Sequence, residues 1–308
     1  MSSLYSIIEA SSIQEFDVDV FVLAGGTDDR ALSMMQLLGT RVSHVSTILL
    51  LKYNEFDETP IRDLLKSAEI ISIPVGNDSI SFLAHLQRNK RLFRNKKVLI
   101  DITSIRIPEM FTLLKYIKIA SEDIHLSIAY STPFDYEFEA EPFTSYHSYY
   151  GNLNTIDLMG FGGISDDMSH SQMIIFLGFE GVLSEKVNED VVYNKLTLVN
   201  NIPSFYEKYK DISVINNYNL LTSRHEKMAF VPANNPFETY NYLTEQLLDN
   251  EPACVAPLST KPVALGVCLY ALTHDSLRVV YPMAEEYNIH RAYSVHNTYI
   301  YTIQLDLI

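Results

Sequence analysis

The sequence has no tryptophan and only two cysteines, Cys254 and Cys268, in 308 residues. Two cysteines outside any Cys-X-X-Cys arrangement build neither a disulfide framework nor a structural zinc site, so a reducing, cytoplasmic setting is the expectation. Glycine (11) and proline (12) are scarce and no segment is dominated by one residue type, which excludes collagen-like and low-complexity classes. Positive charge is in short supply: 23 Lys+Arg face 38 Asp+Glu, a formal net charge of −15. That balance argues against nonspecific binding to duplex DNA, where a basic face supplies most of the affinity, but leaves local binding of a polyanion open. Residues 1–154 carry 14 basic and 20 acidic groups and the remainder 9 and 18, so neither half is basic. Long apolar runs are missing too. The start, MSSLYSIIEASSIQEF, has no basic leader, and Val263 to Leu272 falls far short of the ~20 residues that span a bilayer, so neither secretion nor membrane insertion is expected.

What is present is enough apolar sequence, 47%, to bury a full-sized core, at a length that suits two domains. Candidate strands followed by similar loops occur twice. Val20 to Gly25 resembles Met173 to Gly178, and Ser104-Ile105-Arg106 ends one apolar run as Ser259-Thr260-Lys261 ends another. Leu126 to Tyr130 with Tyr136 parallels Leu277 to Tyr281 with Tyr287, and Ile73 to Asn77 loosely matches Val231 to Asn235. The spacings agree: Gly25 to Ser104 is 79 residues and Gly178 to Ser259 is 81. Within each half, apolar strands alternate with helical stretches, which implies parallel pairing through right-handed crossovers. The expected fold is α/β, with two tandem Rossmann-like units of mainly parallel sheet and an internal duplication: residues 1–140, a connector at 141–170, and residues 171–308. The connector reads as a bridging loop. The bland alternative is that any two α/β domains slide into similar alignments.

In open parallel sheets, ligands bind beyond the carboxyl ends of the strands. That rule selects Gly25, Gly26, Thr27, Asp28 and Asp29, then Gly76 to Ser79, then Asp101, Thr103, Ser104 and Arg106 in the first half. In the second it selects Gly178, Glu180, Gly181, Asn234, Asn235, Ser259, Thr260 and Lys261. Two hydroxyls and a cation at a helix start suit a phosphate or carboxylate; equally, Ser259 or Thr260 is simply an N-cap and Lys261 a solvated residue. Asp101 caps its own loop or meets a ribose hydroxyl. Asp101 and Glu180 are the candidate catalytic carboxylates, though a plain loop is the commoner explanation of Gly178-Phe179-Glu180-Gly181. No Gly-X-Gly-X-X-Gly, Gly-X-Ser-X-Gly or paired-histidine pattern occurs, so no cofactor, acyl-transfer chemistry or metal is expected. Arg88, Lys90, Arg91, Arg94, Lys96 and Lys97 read as a solvated run or as a docking patch, and the 20 tyrosines as core edges or stacking surfaces.

Leu258-Ser-Thr-Lys-Pro262 resembles the Thr-Lys-Pro loop of CARF domains, Rossmann-like sensors of cyclic oligonucleotides in prokaryotic immunity. Asp101-Ile-Thr103-Ser104 is similar to the Asp-X-Thr that opens that loop, and a fused pair of such units resembles SAVED domains. The second half has Ala256 where the aspartate belongs, and the first has Arg106 in place of lysine. The resemblance implies a regulatory protein of an antiviral defence system that binds a nucleotide-type ligand and signals through a protein partner or homo-oligomer. A nucleotide-processing enzyme and a non-catalytic scaffold subunit are the alternatives.

Overall fold

The computed structural model describes residues 5–9, 17–25, 29–41, 45–53, 57–64, 66–76, 78–120, 124–136, 149–164, 171–223, 227–247, 251–287 and 292–304. The chain forms two compact units, Met1–Glu137 together with Ile289–Ile308, and Phe138–Asn288.

The first stretch of chain supplies strands β1 (Tyr5–Glu9), β2 (Val20–Gly25), β3 (Thr47–Lys52), β4 (Glu69–Pro74), β5 (Lys97–Asp101) and β6 (His125–Tyr136). Its helices are α1 (Ser33–Arg41), α2 (Thr59–Leu64), α3 (Ser79–Arg88) and α4 (Ile107–Ala120). The second supplies β7 (Tyr149–Gly162), β8 (Gln172–Phe176), β9 (Lys195–Asn201), β10 (Lys227–Val231), β11 (Ala253–Pro257) and β12 (Leu277–Tyr287). Its helices are α5 (Gly181–Asp190), α6 (Glu207–Asn216), α7 (Tyr218–Ser223), α8 (Pro236–Gln246) and α9 (Lys261–Ala271), and β13 (Ala292–Ile303) follows. Short apolar runs such as Val20 to Gly25, buried at every position, form the central strands because helices cover both faces. Pro108 and Pro262 sit in the first turns of α4 and α9, where a missing N–H costs nothing.

Both sheets have the same parallel core. The first runs β1-β13-β6-β5-β2-β3-β4 and the second β10-β9-β8-β11-β12-β7. In each, the five parallel strands take the Rossmann-like spatial order third, second, first, fourth, fifth. The fold is therefore α/β with two Rossmann-like units, and the repeat read in the sequence is matched by the topology.

The register refines that repeat. Val20 pairs with Val98, which pairs with Leu126; in the second sheet Gln172 pairs with Ala253, which pairs with Leu277. Matched this way, Phe21, Leu23, Ile48, Leu50, Leu99 and Ala129 of one core correspond to Met173, Ile175, Leu196, Leu198, Cys254 and Val280 of the other. Matching Gly25 to Gly178 is one residue out, and a one-residue slip would exchange the two faces of the strand. Gly25 corresponds to Leu177.

The expected boundaries 1–140, 141–170 and 171–308 also change. Part of the connector is strand β7, which pairs antiparallel with β12 at the end of the second sheet, and β13 leaves the second stretch to pair antiparallel with β6. The strand after β6 thus lies beside β12, and the strand after β12 lies beside β6. The first sheet takes β13, which lies between β6 and the end strand β1, from the far end of the chain, whereas β7 belongs to the same continuous stretch as the rest of the second sheet. β7 escaped sequence reading because it is an edge strand: among its described side chains only Leu158 and Phe161 are buried, and Gly151 and Gly160 adopt positive φ, so the two-residue period is broken. No helix among the described residues is long and apolar enough to cross a membrane.

Candidate functional site

In the first unit, the carboxyl ends of β2, β5 and β6 bring polar groups together. Asp101 closes β5, and its Oδ1 accepts the Thr103 N–H at 2.9 Å, an aspartate turn that redirects the chain before α4. Thr103 Oγ1 accepts the Ser131 N–H at 2.9 Å, tying this loop to β6. From the helical turn after β2, Arg30 donates through Nη1 to the Ser131 carbonyl at 3.0 Å. Ser33 Oγ lies 2.9 Å from Ser131 Oγ, which lies 2.9 Å from Thr298 Oγ1 on β13. The cluster is buried: Arg30 is 7% exposed, Asp101 2%, Thr103 4% and Ser104 6%. Charges are buried at such cost that they need partners, and here a cation and a carboxylate are placed among hydroxyls and backbone groups.

Arg106 adds a second cation. Its backbone N–H donates to Tyr53 Oη at 3.1 Å, and its guanidinium lies 4.3 Å from the centre of the Tyr53 ring. Burial, with the neighbouring Glu109 charge second, holds the Tyr53 hydroxyl well above its usual pKa, so the phenol stays neutral. Tyr53 stands just after β3, and β3 and β5 flank β2, so the ring reaches across the end of the first strand.

In the second unit the same strand ends are arranged differently. A Cβ built on Gly178 would lie 2.1 Å from the Leu258 carbonyl oxygen, so the loops after β8 and β11 meet backbone to backbone. The Gly178 carbonyl accepts from Ser213 Oγ at 3.1 Å and Asn217 Nδ2 at 2.9 Å. Asn216 Nδ2 donates to the Phe179 carbonyl at 2.6 Å. Glu180 precedes α5 as its cap residue without a side-chain capping bond. Asn235 caps α8, accepting from the Phe237 and Glu238 N–H groups at 3.0 and 3.3 Å, and Asn234 lies in the turn before it. Thr260 caps α9 and donates to the Ala233 carbonyl at 2.6 Å, while Ser259 Oγ donates to Asn201 Oδ1. Lys261 is the first residue of α9.

The structure therefore brings Asp101, Thr103, Ser104 and Arg106 to one place, with Gly25 at the end of the adjacent β2. Gly26, Thr27 and Asp28 lie outside the described residues, as does Asn77. Sequence reading missed Arg30, Tyr53, Ser131 and Asn201. Tyr53 and Asn201 were legible in principle as the polar residues ending the apolar runs of β3 and β9; Arg30 and Ser131 carry no local signal. Of the basic run, Arg88, Lys90, Arg91 and Arg94 are exposed, and Lys97 pairs with Asp17. No group of three or more His, Cys, Asp or Glu among the described residues is placed to hold a metal.

Comparison with known protein families and with curated proteins finds no match. Among solved structures the chain is similar to the cytoplasmic domain of a prokaryotic cation chloride cotransporter, at 8% identity over 88% of this chain and 96% of that one, with a TM-score of 0.29. It is also similar to a universal stress protein from Archaeoglobus fulgidus, at 8% identity over 89% of this chain and 99% of that one, with a TM-score of 0.24. Similarities this low say nothing about what the chain binds or does.

Proposed function

We propose that the chain is a regulatory binding protein whose ligand is a nucleotide-type anion held at the strand ends of a Rossmann-like unit. One observation carries this reading: the buried cluster of Arg30, Asp101, Thr103, Ser104 and Ser131 beside Arg106, at the edge where parallel sheets take ligands. Guanidinium groups suit a phosphate and a fixed carboxylate suits ribose hydroxyls, so one ligand with both features satisfies the set. The loop resemblance noted above favours cyclic oligonucleotides within that class, an output through a partner chain, and a defence role. Catalysis has less behind it: Asp101 Oδ1 is held by its own turn and Glu180 stands at a different strand end in the other unit. The test is calorimetric titration of the full chain with AMP, ATP and cyclic di-, tri- and tetra-adenylate. Binding of at least one supports the reading; binding of none overturns it, and turnover of a bound nucleotide moves the assignment to an enzyme.

A further inference from the structure

We propose that the chain holds one ligand per molecule, in the first unit, and that the equivalent cleft of the second unit is sealed by apolar packing and serves only as structure. This deepens the binding reading above and rests on it. The argument comes from the sheet register. With Val98 equivalent to Ala253 and Leu126 to Leu277, Asp101 corresponds to Ala256, Thr103 to Leu258 and Ser131 to Pro282. Three residues of the first unit's polar cluster are thus replaced by apolar ones, while Ser104 keeps a serine counterpart in Ser259. The replacements are also mutually consistent. Ser131 donates its N–H to Thr103 Oγ1, whereas Pro282 has no N–H and Leu258 no hydroxyl to accept one.

The space is filled as well as neutralised. Ala256 and Leu258 belong to the same buried core as Leu177, Leu198 and Val280. Gly178, whose lack of a side chain lets the Leu258 carbonyl approach, brings the loops after β8 and β11 into close backbone contact where ligands of such sheets enter. One contact is retained in altered form. Tyr53 corresponds to Asn201, and each reaches the loop after the fourth parallel strand, Tyr53 at the Arg106 N–H and Asn201 at Ser259. The cross-strand tie is common to both units, whereas the buried Asp101 carboxylate has no counterpart in the second. Lys261, equivalent to Arg106, is then a helix-start residue with no ligand to meet.

Titration of the full chain with the adenylate probes named above decides this, using Arg106→Ala, Thr103→Val, Lys261→Ala and Ser259→Ala variants, each first checked for a native circular dichroism spectrum and melting curve. The expected result is one site per chain, weakened at least tenfold by Arg106→Ala and changed less than twofold by Lys261→Ala and Ser259→Ala. Arg106→Ala keeps the backbone bond to Tyr53, so it remains informative if Thr103→Val fails to fold. Two equivalent sites per chain, or tenfold weakening by Lys261→Ala, would overturn the inference while leaving the binding reading intact. Absence of binding to the unmodified chain would overturn both.

Discussion

Gly178 and Gly76 are the same residue type under opposite constraints. A methyl group at Gly178 meets the Leu258 carbonyl oxygen, whereas at Gly76 nothing lies within 4 Å. Gly178→Ala should therefore cost about 3 kcal/mol, at the upper end of ordinary overpacking, and Gly76→Ala less than about 0.5 kcal/mol, read as shifts in urea midpoint. The thiol of Cys254 is constrained by burial rather than shape, and is pushed up to about 12 from an ordinary value of 9.0. Between those values the folded chain keeps a proton that the unfolded chain releases, so stability is complete below about pH 9 and falls as pH rises toward 12. Tyr53 and Tyr301, raised by burial, add the same slope from about pH 10 upward. Urea midpoints should decline between pH 9 and 10 in the unmodified chain and stay level over that interval in Cys254→Ala.

At the level of elements, helix starts and central strands were the legible part. Asn235 and Thr260 sit as caps before Pro236 and Pro262, and both helices begin there. Asn235→Ala should cost about 1 kcal/mol, and Thr260→Ala somewhat more because the bond to the Ala233 carbonyl is lost as well; thermal melts will rank the two. The same residues show why the candidate site was only half readable. A hydroxyl that caps a helix and one that grips a ligand have the same sequence signature, and only the register separated Asp101 and Thr103, set among buried polar groups, from Ser259 and Thr260, which serve the fold. Edge strands were illegible for a different reason. β7 buries too few side chains to impose a period, and nothing local to β13 records that its partner is β6.

For the whole molecule, the positions of the antiparallel strands β7 and β13 set which pieces can stand alone. The second unit is continuous, Phe138–Asn288, whereas the first needs Ile289–Ile308, which brings the buried Ile300, Tyr301 and Ile303. A polypeptide of residues 138–288 should fold cooperatively, and one of residues 1–137 should not. Because Ile303 lies opposite Tyr5 in the antiparallel pair, joining residues 289–308 through a short turn to residues 1–137 should restore folding. Circular dichroism and proton NMR dispersion distinguish the three outcomes. The same arrangement bears on how the protein is made. Ser131 and its partner Thr298 are 167 residues apart, so at ordinary elongation rates the ribosome needs roughly 10 to 30 s between them. During that interval β6 is an unpaired edge on a nascent chain, open to wrong pairing with the emerging β7, and protection by a chaperone would matter most at that stage of synthesis.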